Sequence, residues 1–368
     1  MKNLWTCVIL AMLLPPVIEK QDKKEKPVSP LPVAGNLFII TTDGFRWQEV
    51  FTGADPALIN SSKYTPDTST IKMLYWSENP EERRKKLLPF FWNVIAQKGQ
   101  VFGNRRYQNK VDVANLYSIS YPGYNELFTG NTDMYISSNK KRNNPNINVL
   151  EYLDSHPSFA GKVAAFSSWD VFPYILNTKR NNLPVNSGYN NIEEGTTYQQ
   201  LINTVQQEVV YDKKSTRYDQ LTFLTAKEYL QQHNPRVLYL GLGETDEFAH
   251  EGRYDLYLQQ ASQVDRMIAE LWHWVQTTPG YKDNTTFIIT TDHGRGNRIS
   301  NWTDHGEFIK GSSQTWFAVI GPGIKPDGEI KNNEQQYLQQ MAQTIAQLVG
   351  ENFAGNNTSA AFSLSGEK

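Results

Sequence analysis

Short, nearly continuous apolar runs alternate along this chain with longer segments whose apolar residues recur every three or four positions. The runs at 37–42, 101–103, 163–167, 236–242, 286–291 and 315–320 read as strands. Two of them, 37–42 and 286–291, show little polar alternation, as expected of central strands covered on both faces. The segments at 85–98, 124–129, 147–154, 198–210, 217–232, 254–277 and 335–349 read as helices. In 254–277, Tyr257, Ala261, Val264, Ile268, Leu271 and Val275 fall on one helical face. Strands and helices that alternate without long linkers predict an α/β fold, a three-layer α/β/α sandwich around a central, mostly parallel sheet.

One repeat stands out. The pentapeptide IITTD occurs in LFIITTDGFRW (37–47) and in TFIITTDHGRG (286–296), 249 positions apart. Buried parallel strands deliver whatever follows them to the carboxyl edge of the sheet, where open α/β folds bind ligands. Asp43 and Asp292 should therefore share that edge. Either Asp alone would serve as well to cap a strand end. Two buried carboxylates side by side are costly unless they are paired or coordinated, and a shared metal ion removes that cost.

A third run ends the same way. RVLYLGLGETDEFAH (236–250) supplies Asp246 and His250, whose four-residue spacing puts both on one helical face. His293 follows Asp292, and NWTDHGEF supplies His305. A lone His is more often a structural, hydrogen-bonded residue, and His156, His233 and His273, in or after helices, read that way. Three Asp and three His just beyond strand ends read as metal ligands.

Composition narrows the setting. Hydrophobic residues make up 39% and aromatics 12%, enough for a large core. Lys plus Arg (36) nearly balance Asp plus Glu (38), and a net charge of −2 gives no electrostatic case for a nucleic-acid polymer. Residues 1–20 read as a signal peptide with an apolar run at 4–14 that is too short for a transmembrane span. Residues 21–35 read as a charged, Pro-rich tether, and 36–368 as a single catalytic domain. The expected location is outside the cytoplasm: periplasmic, cell-surface or secreted. The one Cys, Cys7, lies in the leader, so a metal site in the mature chain must use His, Asp and Glu.

The series TTDG, SISYPGYNELFTG, TDEFAH, TTDHGRG and DHGEF, in this order, resembles the alkaline phosphatase superfamily, closest to its type I phosphodiesterase/nucleotide pyrophosphatase-like branch. The resemblance covers about 36 to 350. It implies a hydrolase with two divalent metal ions, usually zinc. Asp246, His250 and His305 would hold one ion, and Asp43, Asp292 and His293 the other, together with a hydroxyl nucleophile. The family places that hydroxyl two residues before a Pro at a helix start, which selects Ser120 over Ser118. Pro122 suits a first helical turn, and the helix N-terminus favours an anion. The metal ligand set excludes soft Cu(I) but leaves Mn and Fe open.

The resemblance also bears on the substrate, a small phosphate ester. A sulfatase of the superfamily would show Arg at position 124, where this chain has Tyr. The K-x-R pair of some monoesterases has no counterpart in AAFSSWDVFPYIL, where Trp169 and Phe172 suggest an aromatic wall. A phosphodiester or pyrophosphate bond is therefore favoured over a monoester. Asn139 is a candidate donor to the phosphate oxygen, Arg295 and Arg105 are candidates to reach the site from loops, and Tyr117 and Tyr121 are candidates for a pocket wall or for core. A mutase would need a large inserted cap, and 171–215 is long enough only for a small lid. A non-catalytic descendant would show decayed ligands, and all six are present.

Overall fold

The computed structural model describes residues 33–192, 196–353 and 359–364. The segment read as a signal peptide and most of the tether lie outside the described residues. The strands are β1 (Asn36–Thr42), β2 (Gln100–Phe102), β3 (Asn109–Asp112), β4 (Val163–Ser167), β5 (Val185–Ser187), β6 (Val237–Leu242), β7 (Thr285–Thr290), β8 (Gln314–Thr315), β9 (Phe317–Ile320), β10 (Gly328–Glu329) and β11 (Glu334–Tyr337). Eight form one sheet in the order β10-β2-β9-β7-β1-β6-β4-β5, and β11-β3-β8 form a small second sheet. In the large sheet β9 alone runs against its neighbours β2 and β7, and the other pairings are parallel.

Residues of the central strands alternate between two buried cores. Phe38, Ile40, Leu238, Leu240, Phe287 and Ile289 face one, beneath the Tyr254–Thr277 helix. Leu37, Ile39, Val237, Tyr239 and Ile288 face the other, beneath the Ser120–Thr129 and Met341–Leu348 helices. This is the α/β/α layering that the alternating pattern predicts.

The repeated pentapeptide has a simple geometry. Ile39 pairs with Ile288, Ile40 with Ile289 and Thr41 with Thr290, so the two copies lie side by side and in register. Both strands end at the same level, and their Asp residues emerge together. Next to them, β6 pairs Thr42 with Leu242 and leads into the Glu244–His250 helix. That helix lacks a side-chain cap of its own. Instead the buried Asp219 carboxylate accepts from Gly243 N at 2.7 Å and Glu244 N at 3.2 Å, while Glu244 Oε2 accepts from Asp219 N at 2.7 Å. Two helices thus cap one another, which satisfies amide donors that a helix start otherwise leaves unpaired.

Some expectations shift. The 85–98 helix is broken at Leu88, with one helix over Pro80–Leu87 and a π-turn and helical turn over Phe91–Lys98. The 335–349 helix begins only at Met341, because Glu334–Tyr337 pair with Asn109–Asp112. The 171–215 segment, read as long enough for a small lid, places Val185–Ser187 on the edge of the large sheet.

Candidate metal centre

Six of the seven predicted ligands come together at the carboxyl edge of β1, β6 and β7 as two donor groups: Asp43, Asp292 and His293, and Asp246, His250 and His305. Within each group the donor atoms lie within 4.8 Å of one another. In the first, His293 Nε2 is 3.4 Å from Asp43 Oδ1 and 3.5 Å from Asp292 Oδ2. In the second, His250 Nε2 is 3.1 Å from Asp246 Oδ2 and 3.0 Å from His305 Nε2. The groups adjoin: the His293 and His305 rings stack with centroids 3.9 Å apart. Ser120 Oγ lies 3.2 Å from His293 Nε2 and 3.5 Å from Asp43 Oδ1.

Local sequence explains the close approach. Gly44 has φ of +58° and donates to Asp292 Oδ1 at 3.1 Å, and a Cβ there would come within 2.6 Å of Asp246 Oδ1. The Ser120–Thr129 helix rests on the β7 end at Gly123, where a Cβ would overlap the Asp292 carbonyl oxygen. Gly123→Ala must therefore push the helix away. Overpacking of this kind costs ~1–3 kcal/mol, and it should lower turnover about 100-fold by displacing Ser120. Melting curves and steady-state rates test this, and an unchanged rate would contradict the contact.

The loop before Ser120 is held from below. Buried Glu126 accepts from the amides of Ala114, Asn115 and Gln339 and from Asn115 Nδ2, at 2.7–3.0 Å. Asn115 Oδ1 in turn accepts from Tyr117 N and Ser118 N. Ser118 takes a left-handed conformation, φ +48°, and its carbonyl lies 3.3 Å from His305 Nδ1. Ser118 thus meets the site through its backbone, whereas Ser120 presents its hydroxyl. His293 Nδ1 faces Gly294 O at 2.8 Å. Carbonyls at both Nδ1 positions favour the tautomer that leaves Nε2 free as a ligand.

Electrostatics set the fit to a cation. Burial, then the neighbouring Asp43, pushes the Asp292 carboxyl well above the usual carboxylate range. Burial, then Asp246, does the same to Asp43, although Tyr124 donates to its Oδ2 at 3.2 Å. Burial, then His293, pushes His305 well below the usual imidazole range. Asp292 Oδ2 is buried without a hydrogen-bond partner. Two adjacent buried carboxyls that resist ionisation, with an orphan oxygen on one of them and imidazole nitrogens beside them, make a donor set that suits a divalent ion.

Arg295 makes the second group different. Its guanidinium is buried, pairs with Asp246 Oδ1, and donates to the carbonyls of Trp302 and Thr303. Burial alone would raise the Asp246 carboxyl, but Arg295, His305 and His250 together hold it well below its ordinary value. Arg295 Nη2 also faces His250 Nδ1 at 3.3 Å, so ligation through His250 Nε2 requires that contact to loosen. Arg295→Met should lower the melting temperature of the metal-free protein, since breaking a buried pair costs ~3–5 kcal/mol. Zinc should then raise the variant's melting temperature more than the wild type's, because the ion replaces the missing positive charge. Equal shifts would contradict that role.

Other predicted residues distribute unevenly. Asn139 is exposed, and its Oδ1 accepts from Tyr121 N at 2.9 Å, directly beside Ser120. Arg105 does not reach the centre: its guanidinium pairs with Asp112 at the small sheet. Phe172 is no wall, because it is buried against Tyr124 and Tyr239. Trp169 is half-buried against Phe172. Tyr121 is core, with its hydroxyl donating to the Arg142 and Tyr174 carbonyls. Sequence reasoning missed the Tyr124 bond to Asp43, the Glu126 anchor and the Arg295 pairing. None carries a local pattern, since no partner falls at a helical or strand spacing.

These features define an α/β fold with clustered His and Asp donors at the carboxyl edge of a mostly parallel sheet, an arrangement that fits a metal ion. Residues 184–352 match the model of the Metalloenzyme superfamily. Comparison with curated protein sequences gives no match. Among solved structures, the chain is similar in fold to the alkaline phosphatase PafA, at TM-score 0.58 and 11% identity over 91% of this chain and 99% of that one. It is also similar to a putative sulfatase from Bacteroides thetaiotaomicron, at TM-score 0.59 and 12% identity over 90% and 74%. A phosphonate monoester hydrolase from Silicibacter pomeroyi gives TM-score 0.56 and 14% identity over 89% and 75%. The fold is thus shared with these solved structures.

Proposed function

We propose that this chain is a metal-dependent hydrolase of phosphate esters, with a phosphodiester or pyrophosphate bond as the favoured substrate and Ser120 as nucleophile. The observation that carries this reading is the Ser120 hydroxyl, at a helix N-terminus and 3.2 Å from His293 Nε2, where two carboxylate–imidazole groups adjoin. Two divalent ions, zinc being the one the sequence resemblance implies, would be held by Asp43, Asp292 and His293 and by Asp246, His250 and His305, and would supply Lewis acidity at the phosphoryl group.

The chain's own residues do the rest. Ser120 Oγ forms a bond to phosphorus as the ester P–O bond breaks, and the proton lost from Oγ is balanced by the one the leaving alcohol gains. Hydrolysis of the phosphoserine then restores the hydroxyl. Gly123 and the Glu126–Asn115 clamp fix the attacking oxygen in place. The amide of Asn139, oriented by its bond to Tyr121 N, donates to a phosphate oxygen. Tyr at position 124, bonded to Asp43, stands where a sulfatase would carry Arg. The absence of a basic residue in the sequence 164–176 supports a second organic substituent over a terminal phosphate. We also propose export, on the strength of the N-terminal sequence alone.

Protein stripped with chelator and reloaded with zinc should turn over an aryl phosphodiester faster than an aryl phosphomonoester, and an aryl sulfate least. Turnover of none of the three would overturn the enzymatic reading, and a faster monoester would reverse the substrate order.

A further inference from the structure

Six large apolar side chains among the described residues are at least two-thirds exposed: Met73, Leu116, Met134, Tyr135, Tyr211 and Phe308. Scattered exposed apolar residues are ordinary, whereas their concentration around one site marks an interaction surface. Four of the six sit on three segments that meet beside Ser120: Leu116 at 67%, Met134 at 72%, Tyr135 at 94% and Phe308 at 90% exposure. Bonds tie these segments together. The Tyr117 hydroxyl donates to the Met134 carbonyl at 2.8 Å, and His305 Nδ1 lies 3.3 Å from Ser118 O. A Cβ at Gly306 would lie 3.8 Å from Ile119 Cγ2, and Ile309 N donates back to Gly306 O, so Phe308 sits in a turn resting on the Ser120 loop.

Charge follows the same segments. Residues 114–119, 131–142 and 297–310 contain five basic side chains (Lys140, Lys141, Arg142, Arg298 and Lys310) and three acidic ones (Asp133, Asp304 and Glu307). Their balance, five minus three, is +2 in a chain whose net charge is −2. Lys141 is paired with Asp170 at 2.7 Å. Exposed apolar residues on segments that also carry an excess of basic ones suit an interface in which aromatic and aliphatic side chains enter the headgroup boundary and Lys and Arg meet anionic headgroups. A second copy of the chain would bring two segments of like positive balance together, which disfavours it as the occupant.

We propose that this rim seats the protein on an anionic lipid surface, and that the ester presented to Ser120 belongs to the headgroup of an amphiphile in that surface. The substrate half of the proposal rests on the phosphoester reading above, and the seating half does not.

The test uses zinc-loaded full-length protein with vesicles of phosphatidylglycerol and phosphatidylcholine, or of phosphatidylcholine alone. Wild type is compared with the combined variant Leu116→Ser, Tyr135→Ser, Phe308→Ser, with melting curves confirming that both are folded. Wild type should co-sediment with the anionic vesicles about tenfold more than with the neutral ones, and the variant should lose about tenfold of that binding. Turnover of a soluble aryl phosphodiester should be the same in both within about twofold, while hydrolysis of vesicle phospholipid falls about tenfold in the variant. Equal binding by both proteins, or wild type left in the supernatant, overturns the seating. Self-association that disappears in the variant without vesicle binding overturns it in favour of a second copy. Rim-dependent binding with no turnover of any phosphoester supports the seating and overturns the phosphoester reading.

Discussion

Ser120→Ala should abolish the covalent phosphoenzyme and lower turnover of a phosphodiester by on the order of 10⁴–10⁶-fold, the scale seen when a nucleophile is deleted from a preorganised site. The loss should fall on kcat, because the groups that orient the substrate remain. Six carboxylate and imidazole donors are untouched, so metal content after zinc loading should match the wild type. The hydroxyl is small and makes only long contacts, 3.2 Å to His293 and 3.5 Å to Asp43, so stability should change little. Rates, intact mass after acid quench and metal analysis read the three parts separately. A variant that keeps near-normal hydrolysis would move the attack to Ser118 or to water. The backbone role of Ser118, in a left-handed conformation with its carbonyl toward His305, argues against the first.

Asp292→Asn should act in the opposite way on metal and on fold. The amide keeps an oxygen for Gly44 N, which donates to Asp292 Oδ1 at 3.1 Å, but loses the second anionic donor. Zinc affinity of that group should fall by more than the roughly 10–100-fold typical of changes outside the ligand shell, and turnover should fall with it. The metal-free protein should instead become more stable at neutral pH. Burial and then Asp43 raise the folded carboxyl well above its ordinary value. A raised carboxyl contributes stability below the ordinary carboxylate range and loses it as pH rises through the folded value, so at pH 7 burying this carboxyl is a burden that Asn removes. Zinc should therefore raise the wild type's melting temperature strongly and the variant's weakly. A variant that is less stable without metal yet gains as much from zinc as the wild type would contradict this account.

The contrast between these variants reflects what the sequence made visible. Each copy of IITTD was legible because a buried parallel strand needs an unbroken apolar run and then discharges its polar residue at a predictable edge. The 254–277 helix was legible because its apolar stripe is long, and it spans Tyr254–Thr277 as predicted. The short helices Trp47–Thr52, Pro56–Ile59 and Thr68–Tyr75 were not. Too few turns are present for periodicity to show, and the first is fixed by a buried network in which Arg46 pairs with Glu49 and Tyr254 donates to Glu49. The edge strands β5, β10 and β11 are two to four residues long and polar or half-exposed, so nothing marks them before a partner strand is known.

The donors of the candidate centre were legible through residue type and position at strand ends. Their supports were not. Glu126 reads as a polar residue on an otherwise buried helix, and only the amides of Ala114, Asn115 and Gln339 around it explain its place. Arg295 reads as a loop cation near the site, whereas the structure pairs it with Asp246 and anchors it on Trp302 and Thr303, the residues leading to His305. Phe172 misled for a related reason: an aromatic in a strand-end loop looks the same in sequence whether it faces a ligand or packs on Tyr124 and Tyr239.

The central claim is that Asp43, Asp292 and His293 hold one ion and Asp246, His250 and His305 another, with Ser120 beside them. Anomalous diffraction at the zinc edge from crystals of the zinc-loaded protein measures this directly. The account predicts two peaks, one in each donor group, with the Ser120 hydroxyl next to them. A single peak, or peaks ligated by other residues, would contradict it.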